Sequence, residues 1–140
     1  MGIKSATVEI AVPVQDVFEY VNQFCRMKNN KVADLYDHLT GGRRYSGNVK
    51  KCLENDAIVL TEGAVDGLLG FMFSGWTISY QFEPIDDNST RVSITVEYGF
   101  LMAVIALSTA NDQATAAVFY RASALLALEK SYVNRYQQCA

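Results

Sequence analysis

The sequence predicts an α+β fold in which a curved antiparallel sheet wraps around one long C-terminal helix, with two short helices after the first strand. Three observations predict it. Residues 4–12 alternate apolar and polar as a half-buried strand does. Two strongly alternating segments, 76–83 and 91–100, flank an acidic turn. Residues 113–137 contain no Gly or Pro, while Ala, Leu, Glu and Arg abound. With 140 residues, 50% of them hydrophobic and 19% charged, a single domain over 1–140 is expected, and a disordered or collagen-like chain is excluded.

In the first strand Ala6, Val8, Ile10 and Val12 share one face, and Ser5, Thr7 and Glu9 the other. Pro13 stops strand pairing and can open a helix, in which Val14, Val17, Phe18, Val21 and Phe24 recur at helical spacing. After a polar break at Arg26 to Lys31, Val32, Leu35, Tyr36 and Leu39 suggest a second short helix that Gly41 and Gly42 end. Arg43 to Leu53 reads as a polar strand bent at Gly47, and the turn Glu54-Asn55-Asp56 leads into a strand from Ala57 to Val65. Trp76, Ile78, Tyr80 and Phe82 then alternate with polar residues, Pro84 to Asn88 makes a turn, and Val92, Ile94, Val96, Tyr98 and Phe100 alternate again. That pattern is an antiparallel hairpin with one aromatic, buried face.

Asn111 and Asp112 are candidate caps for a helix running from Gln113 to about Gln137. One stripe of it carries Ala114, Ala117, Val118, Arg121, Leu125, Leu128, Tyr132 and Tyr136; Phe119, Ala122, Leu126 and Val133 form a second. So wide an apolar arc predicts that the first half of the helix is covered on more than one side.

Composition excludes several function classes. Twelve Lys and Arg against 15 Asp and Glu give a net charge of −3, so no global positive field recruits nucleic acid. The basic pairs Arg43-Arg44 and Lys50-Lys51 read as protection of a sheet edge, and the glycines of GGRRYSG lack the spacing of a phosphate loop. The longest apolar stretch, Gly99 to Ala106, is far shorter than the roughly 20 residues a bilayer demands, so no stable membrane insertion is expected. Three scattered cysteines, Cys25, Cys52 and Cys139, and an N-terminus without a leader pattern suggest a cytoplasmic protein. His38, the only histidine, has Asp34 and Asp37 nearby but no nucleophile and no ligand cluster, so neither a catalytic dyad nor a metal site is predicted.

The opening VEIAVPVQDVFEYV at 8–21 and the hairpin GWTISYQFEPIDDNSTRVSITVEYGF at 75–100 resemble the START-like, or SRPBCC, superfamily and its helix-grip fold. The first is similar to that family's strand running into a helix after Pro; the second is similar to its strand–acidic turn–strand hairpin, in which a Glu-Pro pair closes the first strand. The resemblance spans almost the whole chain and is nearest to a small bacterial branch. It implies a fold and no activity. No ligand residue is shared across the superfamily, so the resemblance transfers only a location, the cavity between sheet and C-terminal helix.

The residues expected at that cavity are Trp76, Tyr80, Phe82, Tyr98 and Phe100 from the strands, with Arg121, Leu125, Leu128 and Tyr132 from the helix. Aromatic bodies supply apolar wall and Tyr or Trp tips supply polarity, although packing alone explains any one of them. Arg121 could clamp a ligand carboxylate, pair with a strand carboxylate, or reach water. GLLGFMFSG at 67–75, with Phe71 and Phe73, reads either as an apolar gate with glycine hinges or as an interface. Glu9, Glu62, Asp66, Glu97 and Glu129 are the carboxylates that could include an acid or base; Glu9 and Glu97 fall on polar strand faces, and Glu62 is left open. The leading expectation is a non-enzymatic domain that sequesters a small hydrophobic or amphipathic molecule, with no cofactor. A cyclase, dehydratase or hydrolase using the same cavity is the enzyme alternative. A homodimerisation module built on 67–75 and 100–107 is the third.

Overall fold

A computed structural model of the chain describes residues 2–26, 30–31, 44–64, 76–98 and 108–139. Its strands are β1 (Gly2–Ile10), β2 (Asn30–Lys31), β3 (Arg44–Leu53), β4 (Ala57–Ala64), β5 (Trp76–Asp86) and β6 (Ser89–Tyr98). Helix α1 spans Val14–Arg26 and helix α2 spans Ser108–Cys139. The strands form one antiparallel sheet in the order β1-β6-β5-β4-β3-β2. The first strand therefore closes onto the last, with Val8 opposite Val92 and Ala6 opposite Ile94. The α+β class and the antiparallel sheet agree with the sequence reading.

The alternation of β5 and β6 is realised residue by residue. Trp76, Ile78, Tyr80 and Phe82 are buried, as are Val92, Ile94, Val96 and Tyr98, while the residues between them are half-buried or exposed. Glu9 and Arg91 lie opposite each other on the outer face, as do Glu83 and Arg91, and Arg91 forms ion pairs with both carboxylates. Both helices cover the inner face: α2 packs chiefly on β1 and β6, and α1 on β3, β5 and β6. Their apolar stripes, Val17, Phe18, Val21 and Cys25 from α1 and Ala114, Ala117, Val118 and Leu125 from α2, join the strand residues in one core.

Turns follow local chemistry. Asn55 holds φ at 58°, the left-handed conformation that Asn tolerates better than most residues, and closes the β3–β4 hairpin. The backbone N–H of Asn88 donates to Asp86 Oδ1 at 2.8 Å and tightens the β5–β6 turn. The carbonyl of Pro13 accepts from the N–H groups of Asp16 and Val17 at 3.1 Å each, so α1 begins where the proline predicts.

Five expectations are corrected. The turn after β5 is narrower than Pro84 to Asn88, because β5 continues through Pro84 to Asp86. The register shifts between Pro84 and Asp86, and an irregular ladder tolerates a residue without an N–H. The irregularity of β3 falls between Val49 and Lys51, not at Gly47, which pairs in register with Glu62. Helix α2 begins at Ser108 rather than after Asn111 and Asp112, so these two residues lie inside its first turns. Its second stripe is covered only in part: Ala122 is buried, whereas Phe119 is 58% exposed and Leu126 47%. Finally, the polar break after α1 contains a strand, since Asn30 and Lys31 pair with Tyr45 and Arg44. The second short helix expected at 32–39 lies outside the described residues.

Candidate ligand-binding site

The site is built where α1 and α2 diverge above the sheet. Over 32 residues α2 reaches about 48 Å, longer than the roughly 36 Å of an 11-residue strand such as β5. Its N-terminal half supplies Ala114, Ala117, Val118 and Leu125 to the core, while Leu128 and Tyr132 further along are only half-buried. Two spaces open along this face. The inner one is a small, partly open void of about 10 Å³, bounded by Tyr20, Val21 and Phe24 of α1, Tyr80 of β5, and Arg121, Ala124 and Leu125 of α2. It is about large enough for one water. The outer one is an open groove of about 360 Å³, lined by Asp16, Glu19, Tyr20 and Gln23 of α1 and by Leu128 and Tyr132 of α2. Its volume falls within the range of small-molecule sites.

Helical periodicity explains both linings. Arg121, Leu125, Leu128 and Tyr132 follow one another at four, three and four residues and so run along one face of α2, past the void and into the groove. On α1 the groove residues Asp16, Glu19, Tyr20 and Gln23 stand at i, i+3, i+4 and i+7, beside the stripe that enters the core. Tyr20 borders both spaces.

Arg121 is 2% exposed, so it does not reach water. Its Nη1 donates to the Ala117 carbonyl at 3.1 Å, one turn back along the helix. That contact holds the guanidinium head against its own helix, at the wall of the void. Tyr80 stacks on Phe82 with centroids 6.4 Å apart and planes 7° from parallel. Phe82 also meets the edge of Phe18 at 5.6 Å, which fixes α1 over β5.

The residues expected from sequence divide into three groups. Tyr80, Arg121, Leu125, Leu128 and Tyr132 border the void or the groove. Trp76, Phe82 and Tyr98 are buried in the core and border neither space. Phe71, Phe73 and Phe100 lie outside the described residues, as do the 67–75 and 100–107 segments, His38, Asp34, Asp37, Asp66 and the side chain of Glu62. The α1 wall, Asp16, Glu19, Tyr20 and Gln23, was absent from the expected set. Its signal was present in the sequence: Tyr20 is three residues from Val17 and four from Phe24, at the margin of the apolar stripe.

Among the described residues, no group of three or more His, Cys, Asp and Glu stands close enough to hold a metal. Among them also, no helix is long and apolar enough to cross a membrane.

Comparison with solved structures settles the fold. A polyketide cyclase-like protein from Corynebacterium glutamicum superposes with a TM-score of 0.57 at 13% identity, covering 97% of this chain and 94% of that one. The chain has the START-like, helix-grip fold. The Aha1 dimer from Colwellia psychrerythraea matches it with a TM-score of 0.54 at 16% identity, over 94% of this chain and 96% of that one. Protein Ms6760 from Mycobacterium smegmatis matches at 0.51 and 17%, over 90% and 92%. No protein-family model matches the sequence, and no curated protein does. At these identities the START-like likeness concerns the fold alone.

Proposed function

We propose that the protein is a START-like binding domain that holds a small amphipathic molecule between α1 and α2, in the groove lined by Tyr20, Leu128 and Tyr132. The observation that carries this reading is the groove of about 360 Å³ on the same face of α2 as the buried Arg121. Ligand apolar surface would be removed from water by Leu128 and the two tyrosine rings, at about 25 cal/mol per Å². The polar residues of α1 would orient the head group. An enzymatic reading requires an acid or base in the same space. Asp16 and Glu19 are the carboxylates that line it; Glu19 is exposed and Asp16 half-buried, and neither is enclosed by the apolar surroundings that tune a carboxyl for proton transfer.

The test is titration with the neutral fluorophore N-phenyl-1-naphthylamine. The expected result is saturable one-to-one binding to the intact chain, weakened by Leu128→Trp, which fills the groove. Lack of saturable binding would refute the reading.

The outer face of α2 supports a second, compatible reading as a homodimer surface. Phe119 and Leu126 are seven residues apart on one side of the helix, at 58% and 47% exposure. Light scattering on the intact chain and on Phe119→Lys with Leu126→Lys checks it: a dimer that the double variant dissociates supports the surface, and a monomer in both cases excludes it.

A further inference from the structure

The polar side of the groove carries charge of one sign. Asp16 and Glu19 bring two carboxylates and Gln23 an amide, while Tyr20, Leu128 and Tyr132 bring rings and alkyl surface; none of the six is Lys or Arg. The carboxylates are held near each other by helix geometry, three residues apart on α1. Among the described residues no cation pairs with either of them. The contact within the set, Gln23 Nε2 donating to Glu19 Oε1 at 3.5 Å, sits at the long limit for a hydrogen bond and leaves Glu19 with further acceptor capacity. Among the described side chains of this face of α2, the cation Arg121 borders the small inner cavity and is not part of the groove lining. It is therefore badly placed to offset the charge at the rim.

We infer that the groove selects amphipathic cations, molecules with an alkyl or aryl body and an ammonium group. The body lies on Leu128 and the tyrosine rings, and the ammonium lies at Asp16 and Glu19. Two tyrosines beside two carboxylates suit an ammonium doubly, through the ring quadrupole and through direct charge. A carboxylate head group meets repulsion at the same rim. This orientation is the reverse of one in which Arg121 clamps an anion. The inference rests on the groove being the ligand site, and its experiment separates the two ideas.

Calorimetry of the intact chain would compare dodecyltrimethylammonium with dodecanoate, both below their micellar concentrations and at equal ionic strength. The ammonium is expected to bind about tenfold more tightly and to displace N-phenyl-1-naphthylamine. The variant Asp16→Asn with Glu19→Gln is expected to lose about that factor for the ammonium, which brings its affinity down to that of dodecanoate. Added salt should weaken the ammonium and leave the fluorophore unaffected. Equal or tighter binding of dodecanoate, or an ammonium affinity indifferent to the double variant, would overturn the selectivity while leaving the groove as a site. Failure of the neutral fluorophore to bind at all would overturn both.

Discussion

Phe18 of α1 meets Phe82 of β5 edge-to-face, with centroids 5.6 Å apart and planes at 73°. Both rings are buried, and through them the first helix is seated on the sheet at the place where it faces α2. The groove depends on this seating, because its α1 wall moves with the helix. Phe18→Ala is expected to lower stability by about 3–5 kcal/mol, from lost burial and the cavity left behind. Urea denaturation measures it; a midpoint within error of the parent would show that α1 is not anchored there.

Thr90, the second residue of β6, is fully buried, its Oγ1 donating to the Val12 carbonyl at 2.8 Å. The bond joins the chain just after β1 to the start of β6, where the first and last strands pair. Thr90→Val keeps the shape and removes the donor, so the cost expected is that of a stranded carbonyl, about 1–3 kcal/mol. An unchanged denaturation midpoint would mean that the carbonyl finds another partner.

Tyr20 borders both the void of about 10 Å³ and the groove of about 360 Å³. Tyr20→Ala should join the two and lengthen the apolar channel toward Arg121. Neutral alkyl glucosides report this without involving charge. The affinity ratio of decyl to octyl glucoside is expected to rise, by roughly fourfold for each methylene newly buried. A ratio equal to that of the parent would place the ligand body elsewhere.

Arg91 crosses three strands on the outer face, paired with Glu9 at 2.9 Å and Glu83 at 3.3 Å. Its hydrogen bond to Glu9, followed by the charges of Glu9 and Glu83, raises its pKa above the ordinary arginine value. A raised folded-state pKa gives a stabilisation that is complete below the unfolded value and is lost only as pH climbs through the folded one. For arginine that window lies in strong alkali. Arg91 and its partners are also well exposed, at 40%, 58% and 68% of their side chains, so the pairs are screened by solvent and salt. The difference in urea midpoint between the parent and Arg91→Met is therefore expected to be small and constant from neutral to mildly alkaline pH. A difference that grows across that range would contradict it.

Much of this fold was legible because its strongest patterns are local. Alternation at Trp76–Phe82 and Val92–Tyr98 fixes which face each strand buries, and Pro13 followed by Val17, Phe18 and Val21 fixes the start and inner face of α1. The pairing of β1 with β6 is a long-range contact that no short-range pattern specifies. Phe119 and Leu126 misled for a related reason: an apolar side chain announces a preference for burial, not a partner. The same division holds at the site. The α2 face from Arg121 to Tyr132 follows from helical spacing alone. The opposing wall depends on how α1 crosses α2, which the spacing of Asp16, Glu19 and Gln23 does not specify. Trp76, Phe82 and Tyr98 carried the aromatic character expected of a cavity and instead fill the core.

The most direct test of the account is a ¹⁵N-resolved NMR titration of the intact chain with N-phenyl-1-naphthylamine. Saturable shifts should concentrate on the amides of Asp16, Glu19, Tyr20, Gln23, Leu128 and Tyr132. Shifts confined to the outer face of the sheet, around Thr7, Ser93 and Thr95, or none at any residue, would contradict a ligand site between α1 and α2.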